Sequence, residues 1–277
     1  MRFTKMHGCG NDYIYIDCFT ETPPADLPET ARRLSDRHFG IGGDGLILIK
    51  PGQEGIDAEM EMYNADGSKA EMCGNGLRCM AKYLHDHHQA GKEQLSILTG
   101  AGLLAAEIED TSDAQAAQIR LDMGRPELSG LKIPTVWDRT PVVRQQFDVG
   151  GRTFEGTCVS MGNPHCVIYV DDVKNFPVTE VGPLIENAPF FPNRINVEFV
   201  QILSPTEVIQ RTWERGSGET LACGTGASAV CVAGVLCGVT ERALRIHLSG
   251  GDLQLLYTEE GNVRLTGPAV EVFTGVV

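Results

Sequence analysis

Cys73-Gly74-Asn75-Gly76 and Cys223-Gly224-Thr225-Gly226 are the two stretches that decide the fold of this chain. The first precedes residues 77–84, where apolar side chains recur at the i, i+3, i+4 and i+7 spacing of a helix. The second precedes residues 227–236, which are apolar on every side and predict a helix buried all round. Each tetrapeptide is thus predicted to lead through a glycine-rich turn into a helix.

The two tetrapeptides belong to an internal repeat. Cys73 and Cys223 stand 150 residues apart, and Tyr63-Asn64 stands at the same offset from Trp213-Glu214. A second similarity relates Gly10-Asn11-Asp12 to Gly162-Asn163-Pro164 at nearly the same spacing. A repeat of this length predicts two similar halves that face each other.

Short segments of alternating apolar and polar residues dominate the rest of the chain. A period of two predicts strands with one buried face. The segments are 58–63, 119–123, 195–199, 244–248 and 270–272. Residues 26–37 carry the composition of a further helix, and Glu259-Glu260-Gly261-Asn262 predicts a hairpin turn. The pattern predicts an α+β protein rich in strands.

The composition excludes several classes of partner. The chain has 277 residues, 42% hydrophobic content and a formal net charge of −14. This charge disfavours nucleic acid and anionic membranes, because both require clustered Lys and Arg. The longest apolar stretch, residues 227–239, is far shorter than the roughly 20 residues of a membrane helix. With no signal peptide at the N-terminus, the sequence predicts a soluble, cytoplasmic protein.

The nine cysteines divide into two groups. An odd number of cysteines without a secretory signal predicts reduced thiols. The chain also lacks the Cys-x-x-Cys and finger-like Cys/His spacings that would indicate a metal site. Seven are therefore expected to pack as small apolar side chains. Cys73 and Cys223 differ, because each precedes a helix whose N-terminal N–H groups favour anions. The sequence predicts a lowered thiol pKa at both positions.

These positions suggest acid–base chemistry on an amino acid. The free N–H groups of a helix N-terminus can hold a carboxylate without an arginine. If two such helices faced one substrate carboxylate, a thiolate could remove the α-proton while the opposite thiol delivered one to the other face. Glu214 suits the substrate ammonium group, and Arg215 suits a second, distal carboxylate.

Several motifs together resemble one family, and the similarity runs nearly from end to end in the same order. The motifs are Met6-His7-Gly8-Cys9-Gly10-Asn11-Asp12-Tyr13, Tyr63-Asn64-Ala65-Asp66-Gly67, Glu71-Met72-Cys73-Gly74-Asn75-Gly76-Leu77-Arg78-Cys79, Met161-Gly162-Asn163-Pro164-His165, Arg194-Ile195-Asn196-Val197, Trp213-Glu214-Arg215-Gly216-Ser217-Gly218-Glu219-Thr220-Leu221-Ala222-Cys223-Gly224-Thr225-Gly226 and Gly267-Pro268-Ala269-Val270-Glu271-Val272-Phe273. The chain resembles the diaminopimelate epimerases.

The resemblance implies a fold and a function. The fold has two pseudo-symmetric lobes, each a β-barrel-like sheet wrapped around a central helix. We place the N-terminal lobe at residues 1–120 and the C-terminal lobe at 121–266, with 267–277 returning as a strand to the first. The implied function is interconversion of LL-2,6-diaminopimelate and meso-diaminopimelate in lysine and peptidoglycan precursor biosynthesis. It implies a homodimer that needs neither pyridoxal phosphate nor any other cofactor or metal.

The resemblance also implies the roles of individual residues. Cys73 and Cys223 are the catalytic pair. The substrate-binding residues are Asn11, Asn64, Gly74, Asn75, Asn163, Asn196, Glu214, Arg215, Gly224 and Thr225. One position departs from the pattern, since some members have a substrate-contacting Gln where this chain has Gly45. His165 is expected to support the turn that carries Asn163, and the alternative is a role beside the substrate.

Three other functions remain open from the sequence. The nearest is a two-cysteine proline or hydroxyproline racemase, although a monocarboxylate substrate has no use for Arg215. A thiol–disulfide redox protein could use Cys73 and Cys223 as a dithiol, but the chain lacks a Cys-x-x-Cys motif. A non-catalytic amino-acid-binding protein would not need both cysteines.

Overall fold

The alternating segments and the apolar segments of the sequence form strands and helices, respectively. The computed structural model describes residues 1–89, 91–112 and 115–277. Along the first part of the chain the elements are β1 (Arg2–Gly8), β2 (Asn11–Asp17), α1 (Leu27–Ser35), β3 (Gly45–Pro51), β4 (Ala58–Asn64), β5 (Lys69–Ala70), α2 (Gly74–His87), β6 (Gln94–Thr99), β7 (Gly102–Ser112) and β8 (Gln115–Asp122).

A second series of elements follows in a similar order. Its members are β9 (Val142–Val149), β10 (Arg152–Ser160), β11 (Pro164–Tyr169), α3 (Val178–Glu186), β12 (Asn196–Ser204), β13 (Glu207–Glu214), β14 (Gly218–Thr220), α4 (Gly224–Cys237), β15 (Ala243–Leu248), β16 (Gly251–Tyr257) and β17 (Val263–Pro268), and β18 (Val270–Val276) ends the chain. The chain divides into one compact unit of Met1–Asp122 with Thr266–Val277 and another of Met123–Leu265.

In the first unit the strands pair in the order β18-β1-β2-β3-β4-β6-β7-β8, with β5 added to β4. The pairs β2–β3 and β4–β6 are parallel, and the other pairs are antiparallel. The helix α2 contacts β18, β1 and β2 as well as β7 and β8. Because these strands come from both ends of the order, the sheet wraps around this helix.

The second unit repeats this arrangement. Its strands pair in the order β9-β10-β11-β12-β13-β15-β16, with β14 added to β13, and β11–β12 and β13–β15 are the parallel pairs. The helix α4 contacts β9 to β12 together with β15 and β16. Strand order, strand direction and helix position therefore agree between the units, which confirms the predicted fold class and the internal repeat.

The two central helices bury the side chains that the sequence predicted. In α2 the four apolar residues at helical spacing, Leu77 to Leu84, are at most 1% exposed. In α4 all nine residues from Gly226 to Gly234 are buried. Gly238 ends α4 in the left-handed conformation, with φ of 68°, which a glycine adopts without steric cost.

The predicted turn between β16 and β17 is also present. The N–H of Thr258 donates to the carbonyl of Asn262 at 2.8 Å, and Gly261 has φ of 90°. The structure also contains one helix that the sequence did not indicate, α3, which has Pro183 inside it. Packing stabilises this helix, because Gly182 lies so close to Trp213 that a Cβ would be 2.5 Å from the indole Cγ.

Every helix in the described residues is too short or too polar to span a lipid bilayer.

Candidate active site

The first half of the candidate site is built around Cys73, the residue that precedes α2. Cys73 has an extended backbone and occupies the N-cap position of the helix. Its Sγ donates to Asn11 Oδ1 at 3.2 Å, and Asn75 Nδ2 donates to the same oxygen at 3.3 Å. Three of the predicted site residues are therefore joined directly by hydrogen bonds.

Asp44 fixes the orientation of Asn11. Asn11 Nδ2 donates to Asp44 Oδ2 at 2.6 Å, so the amide oxygen is left to face Cys73. Arg37 holds Asp44 in turn, with a distance of 2.9 Å from Nη2 to Oδ1. No pattern in the sequence indicated Asp44 as part of the site, although it lies in the same glycine-rich segment as Gly45.

Asn64 and Gly45 lie on neighbouring strands in direct register. The amide of Asn64 donates to Ser68 Oγ at 3.0 Å. A Cβ on Gly45 would overlap the carbonyl oxygen of Tyr63. The backbone therefore leaves no room for the Gln that some members carry at this position.

The second half of the candidate site is built around Cys223, the N-cap residue of α4. Its Sγ accepts from the N–H of Gly226 at 3.4 Å and lies 3.4 Å from Thr225 Oγ1. Cys223 is only 6% exposed. Gly224 begins the helix, and its N–H belongs to the free donors of the first turn.

Glu214 and Arg215 lie at the end of β13, beside this helix in the chain's second unit. Thr220 Oγ1 donates to Glu214 Oε1 at 2.6 Å, and burial raises the pKa of the Glu214 carboxyl. Arg215 Nη1 donates to the carbonyl of Asn193 at 3.0 Å. Within the described residues no carboxylate lies at ion-pair distance from Arg215, so its charge has no partner of opposite sign.

The two asparagines of this unit support the turns around them. Asn196 donates to the carbonyl of Pro164 at 2.7 Å and accepts from the N–H of Arg215 at 2.8 Å, which fixes the backbone of Arg215. Asn163 Oδ1 lies 3.1 Å from His165 Nε2. This contact confirms the prediction that His165 supports the turn of Asn163.

The predicted lowering of the thiol pKa is wrong for the substrate-free protein. Burial raises the pKa of Cys73, although the N–H groups of Gly76 and Asn75 act in the opposite direction. Burial also holds the pKa of Cys223 well above its ordinary value. The sequence indicated the helix N-terminus but not the loss of water, and desolvation of a thiolate exceeds the stabilisation from these donors.

A buried carboxylate that the sequence pattern did not indicate lies under the start of α4. Glu198 is fully buried, with Oε1 2.7 Å from His165 Nδ1, and its Oε2 accepts from Gln210 at 2.8 Å and Thr212 at 2.5 Å. The alternating pattern of residues 195–199 predicted one buried face. The structure instead buries residues 195–200 on both faces, because the polar face of β12 lies against α4.

This packing predicts that Gly226 cannot be replaced. A Cβ on Gly226 would be 2.6 Å from Glu198 Oε1, and three hydrogen bonds hold that carboxylate in place. We expect Gly226→Ala to lower the free energy of unfolding by about 1–3 kcal/mol through overpacking. Urea unfolding measures this change.

Two matched substitutions serve as controls for that measurement. A Cβ on Gly224 would meet nothing closer than Leu265 Cδ1 at 3.4 Å, and one on Gly76 would meet the terminal methyl of Ile47, which can rotate away. Gly224→Ala and Gly76→Ala should therefore cost less stability than Gly226→Ala. A Gly226→Ala protein as stable as either control would contradict the packing described for Glu198.

No group of three or more His, Cys, Asp or Glu side chains in the described parts of the chain is arranged to hold a metal ion.

Comparisons with known proteins give the same family as the motifs. Residues 3–129 and 157–272 match the family model described as diaminopimelate epimerase. A diaminopimelate epimerase of Leptospira biflexa is 51% identical over 100% of this chain and 99% of that protein. One from Moorella thermoacetica is 49% identical over 99% of this chain and 98% of that protein.

A solved structure confirms the fold at much lower sequence similarity. A hydroxyproline epimerase from Agrobacterium vitis with bound trans-4-hydroxy-L-proline is 14% identical. It superposes with a TM-score of 0.67 over 100% of this chain and 90% of that one. At this identity the likeness concerns the fold alone.

Proposed function

The chain belongs to the diaminopimelate epimerase family, and we propose that it interconverts LL-2,6-diaminopimelate and meso-diaminopimelate with Cys73 and Cys223 as the two acid–base groups. The observation that carries this proposal is the repetition of one half-site. In each unit a cysteine occupies the N-cap of a buried helix and begins a Cys-Gly-x-Gly tetrapeptide. Inversion at a carbon atom needs one base and one acid, and two equivalent half-sites supply them.

The proposed reaction moves one proton off the α-carbon and another onto it. The thiolate of one cysteine takes the α-proton and becomes a thiol, while the electron pair of the broken C–H bond stays on the carbon. The thiol of the other cysteine then donates its proton to the opposite face and becomes a thiolate. Nothing is oxidised or reduced, and the net change is the configuration of one carbon.

The helix starts are proposed to bind the carboxylate next to the reacting carbon. Gly74 and Asn75 begin α2, and Gly224 and Thr225 begin α4, so their N–H groups lie in the first turns, where a helix presents donors to an anion. Negative charge moves from the carbon onto this carboxylate as the proton leaves. Donors already fixed in position stabilise that charge without reorganising.

The remaining site residues are proposed to recognise the rest of the diamino diacid. Glu214 would accept the ammonium group beside the reacting carbon, and Arg215, which lacks a partner carboxylate among the described residues, would bind the distal carboxylate. Asn11, Asn64, Asn163 and Asn196 would donate and accept hydrogen bonds around the substrate. Several of these asparagines also hold the loops of the site in place.

The proposal includes the cellular setting that the family resemblance implies. The protein would act in the cytoplasm as a homodimer, on a small molecule and without pyridoxal phosphate, in the biosynthesis of lysine. The absence of clustered positive charge in a chain of net charge −14 supports a small-molecule partner over nucleic acid.

Exchange of the α-proton in D₂O tests the proposed substrate. We expect NMR to show loss of the α-proton signal of LL-diaminopimelate, together with formation of the meso isomer, and no exchange of L-proline or trans-4-hydroxy-L-proline. Exchange of the proline compounds instead would move the assignment to a racemase of cyclic amino acids. If none of the three compounds exchanged its α-proton, amino-acid binding and thiol–disulfide redox chemistry would remain as the candidate functions.

A further inference from the structure

The internal repeat allows the surroundings of the two cysteines to be compared position by position. Gly76 in α2 corresponds to Gly226 in α4. Under Gly76 the nearest atom to an added Cβ is the terminal methyl of Ile47, at 2.7 Å. Under Gly226 the nearest atom is Glu198 Oε1, at 2.6 Å. The first turn of one helix thus rests on an apolar side chain and that of the other on a carboxylate.

A second difference lies inside the helices and has the opposite sign. Arg78 of α2 is fully buried, and its Nη2 donates to Asn75 Oδ1 at 2.8 Å while its Nε donates to the carbonyl of Pro268 at 3.3 Å. The corresponding residue of α4 is Ser228, whose hydroxyl donates to the carbonyl of Gly224. The positively charged Arg78 therefore has a neutral counterpart in α4.

The charge of Arg78 is not neutralised by a nearby acid. Within residues 1–89, 91–112 and 115–277 no carboxylate forms an ion pair with it, and Nη1 has no hydrogen-bond partner. An uncompensated buried cation is costly to a fold. Its cost is reduced when an anion forms nearby. The thiolate of Cys73 is such an anion, because hydrogen bonds through Asn75 and Asn11 link Arg78 to Cys73.

We propose that Arg78 and Glu198 are positioning residues that make the two cysteines chemically unequal, Arg78 favouring the thiolate of Cys73 and Glu198 favouring the neutral thiol of Cys223. Neither residue is assigned to touch the substrate. Each acts by its charge on the sulfur atom of its own unit, and the repeat provides no counterpart that would cancel the difference.

The leading electrostatic effects on the two sulfur atoms differ in the direction that the proposal requires. Burial raises the pKa of Cys73, and Arg78 and the hydroxyl of Tyr13 oppose that rise. Around Cys223 burial is again the largest cause of the raised pKa, and Glu214 and Glu198 add to it, whereas Thr225 and the helix N–H of Gly226 oppose it.

His165 lies at one side of the Glu198 carboxylate. It contacts only Oε1, whereas Oε2 accepts from the neutral side chains of Gln210 and Thr212. Gln210 and Thr212 carry no charge that could cancel the charge of the carboxylate. It remains a source of negative potential close to the first turn of α4.

The difference between the two thiols does not depend on the proposed function. Its role in catalysis does rest on the proposed function. In the two-cysteine reaction one sulfur must start as thiolate and the other as thiol. The buried charges would set that starting state, with Cys73 as the base. For the reaction in the opposite direction Cys223 would be the base, so the protein would first need a proton on Cys73 and a thiolate at Cys223.

The test is the pH dependence of alkylation at each cysteine in the full-length, substrate-free protein. Iodoacetamide reacts with thiolates, and mass mapping of peptides gives a separate rate for Cys73 and Cys223. We expect the midpoint of Cys73 to lie at lower pH than that of Cys223. Because no substrate is present, this result does not depend on whether the proposed reaction is correct.

Two variants with opposite expected shifts keep the test decisive. Arg78→Gln should move the midpoint of Cys73 to higher pH, with a rate at neutral pH reduced about threefold or more, and leave Cys223 unchanged. Glu198→Gln, which keeps an acceptor for His165, should move the midpoint of Cys223 to lower pH and leave Cys73 unchanged. Glu219→Gln, which removes a carboxylate paired with Arg211, is the control and should shift neither.

Several results would overturn the proposal. One is a wild-type midpoint of Cys223 at or below that of Cys73. Another is a shift of both cysteines in the same direction in either variant. Should Arg78→Gln fail to fold, as circular dichroism would show, Glu198→Gln alone decides, since an unshifted Cys223 in that folded variant removes the role of Glu198.

Discussion

Cys73→Ala is expected to lower kcat/KM for LL-diaminopimelate by about 10²–10⁴-fold or more, because it removes one of two groups that must transfer a proton. Cys223→Ala should have an effect of the same size. The assay is conversion to the meso isomer, followed by chiral chromatography. Since the two thiols act in one reaction, the double variant should be little worse than either single variant.

A control separates this loss from a general effect on the fold. Cys18→Ala removes a half-buried thiol whose only described hydrogen bond is to the carbonyl of Ile16 at 3.8 Å, and it should retain activity. Near-normal activity of Cys73→Ala or of Cys223→Ala, in protein with an unchanged unfolding transition, would remove that cysteine from the reaction.

Glu214→Gln is expected to reduce kcat/KM by about 10²-fold, as loss of one partner of a buried charge pair costs 2–5 kcal/mol or more. The half-buried carboxylate is held by Thr220, and the substrate ammonium is its proposed counter-charge. The pH dependence of alkylation at Cys223 gives a second readout, which does not depend on the activity assay. Because Glu214 raises the pKa of Cys223, the variant should alkylate at Cys223 with a midpoint at lower pH.

Glu219→Gln is the matched control for this prediction as well. Glu219 pairs in register with Trp213, next to Glu214, but its carboxylate binds Arg211. It should leave both kcat/KM and the Cys223 midpoint unchanged. A Glu214→Gln protein that alkylates like wild type but loses activity would retain a role for Glu214 in binding and refute its effect on Cys223.

The main features of the fold could be predicted from local patterns. The tetrapeptides at Cys73 and Cys223 marked the starts of α2 and α4, and Asp26 was included in the predicted first helix, where it caps α1 by accepting from Glu29. Each of these signals is contained within a few consecutive residues of the chain. The helix α3 was missed because Pro183 indicates a break, while Trp213, which packs against it, lies 30 residues further along the chain.

The surroundings of the candidate site were harder to predict than its members. Glu198 stood at a polar position of an alternating strand, and only the packing of α4 against that face of β12 shows that it is buried. The sign of the thiol pKa shift was wrong for the same reason. A helix N-terminus is visible in the sequence, but the loss of water around a sulfur atom depends on the whole unit.

The position of deuterium early in the reaction tests the two-base mechanism most directly. LL-diaminopimelate would be incubated with the protein in D₂O and stopped after a few per cent conversion, and both isomers would be analysed by mass spectrometry. We predict deuterium at the α-carbon of the meso product and none in the recovered LL substrate, because each cysteine serves one face. Equal early labelling of substrate and product would show that a single group serves both faces, and would contradict the proposal that Cys73 and Cys223 share the reaction.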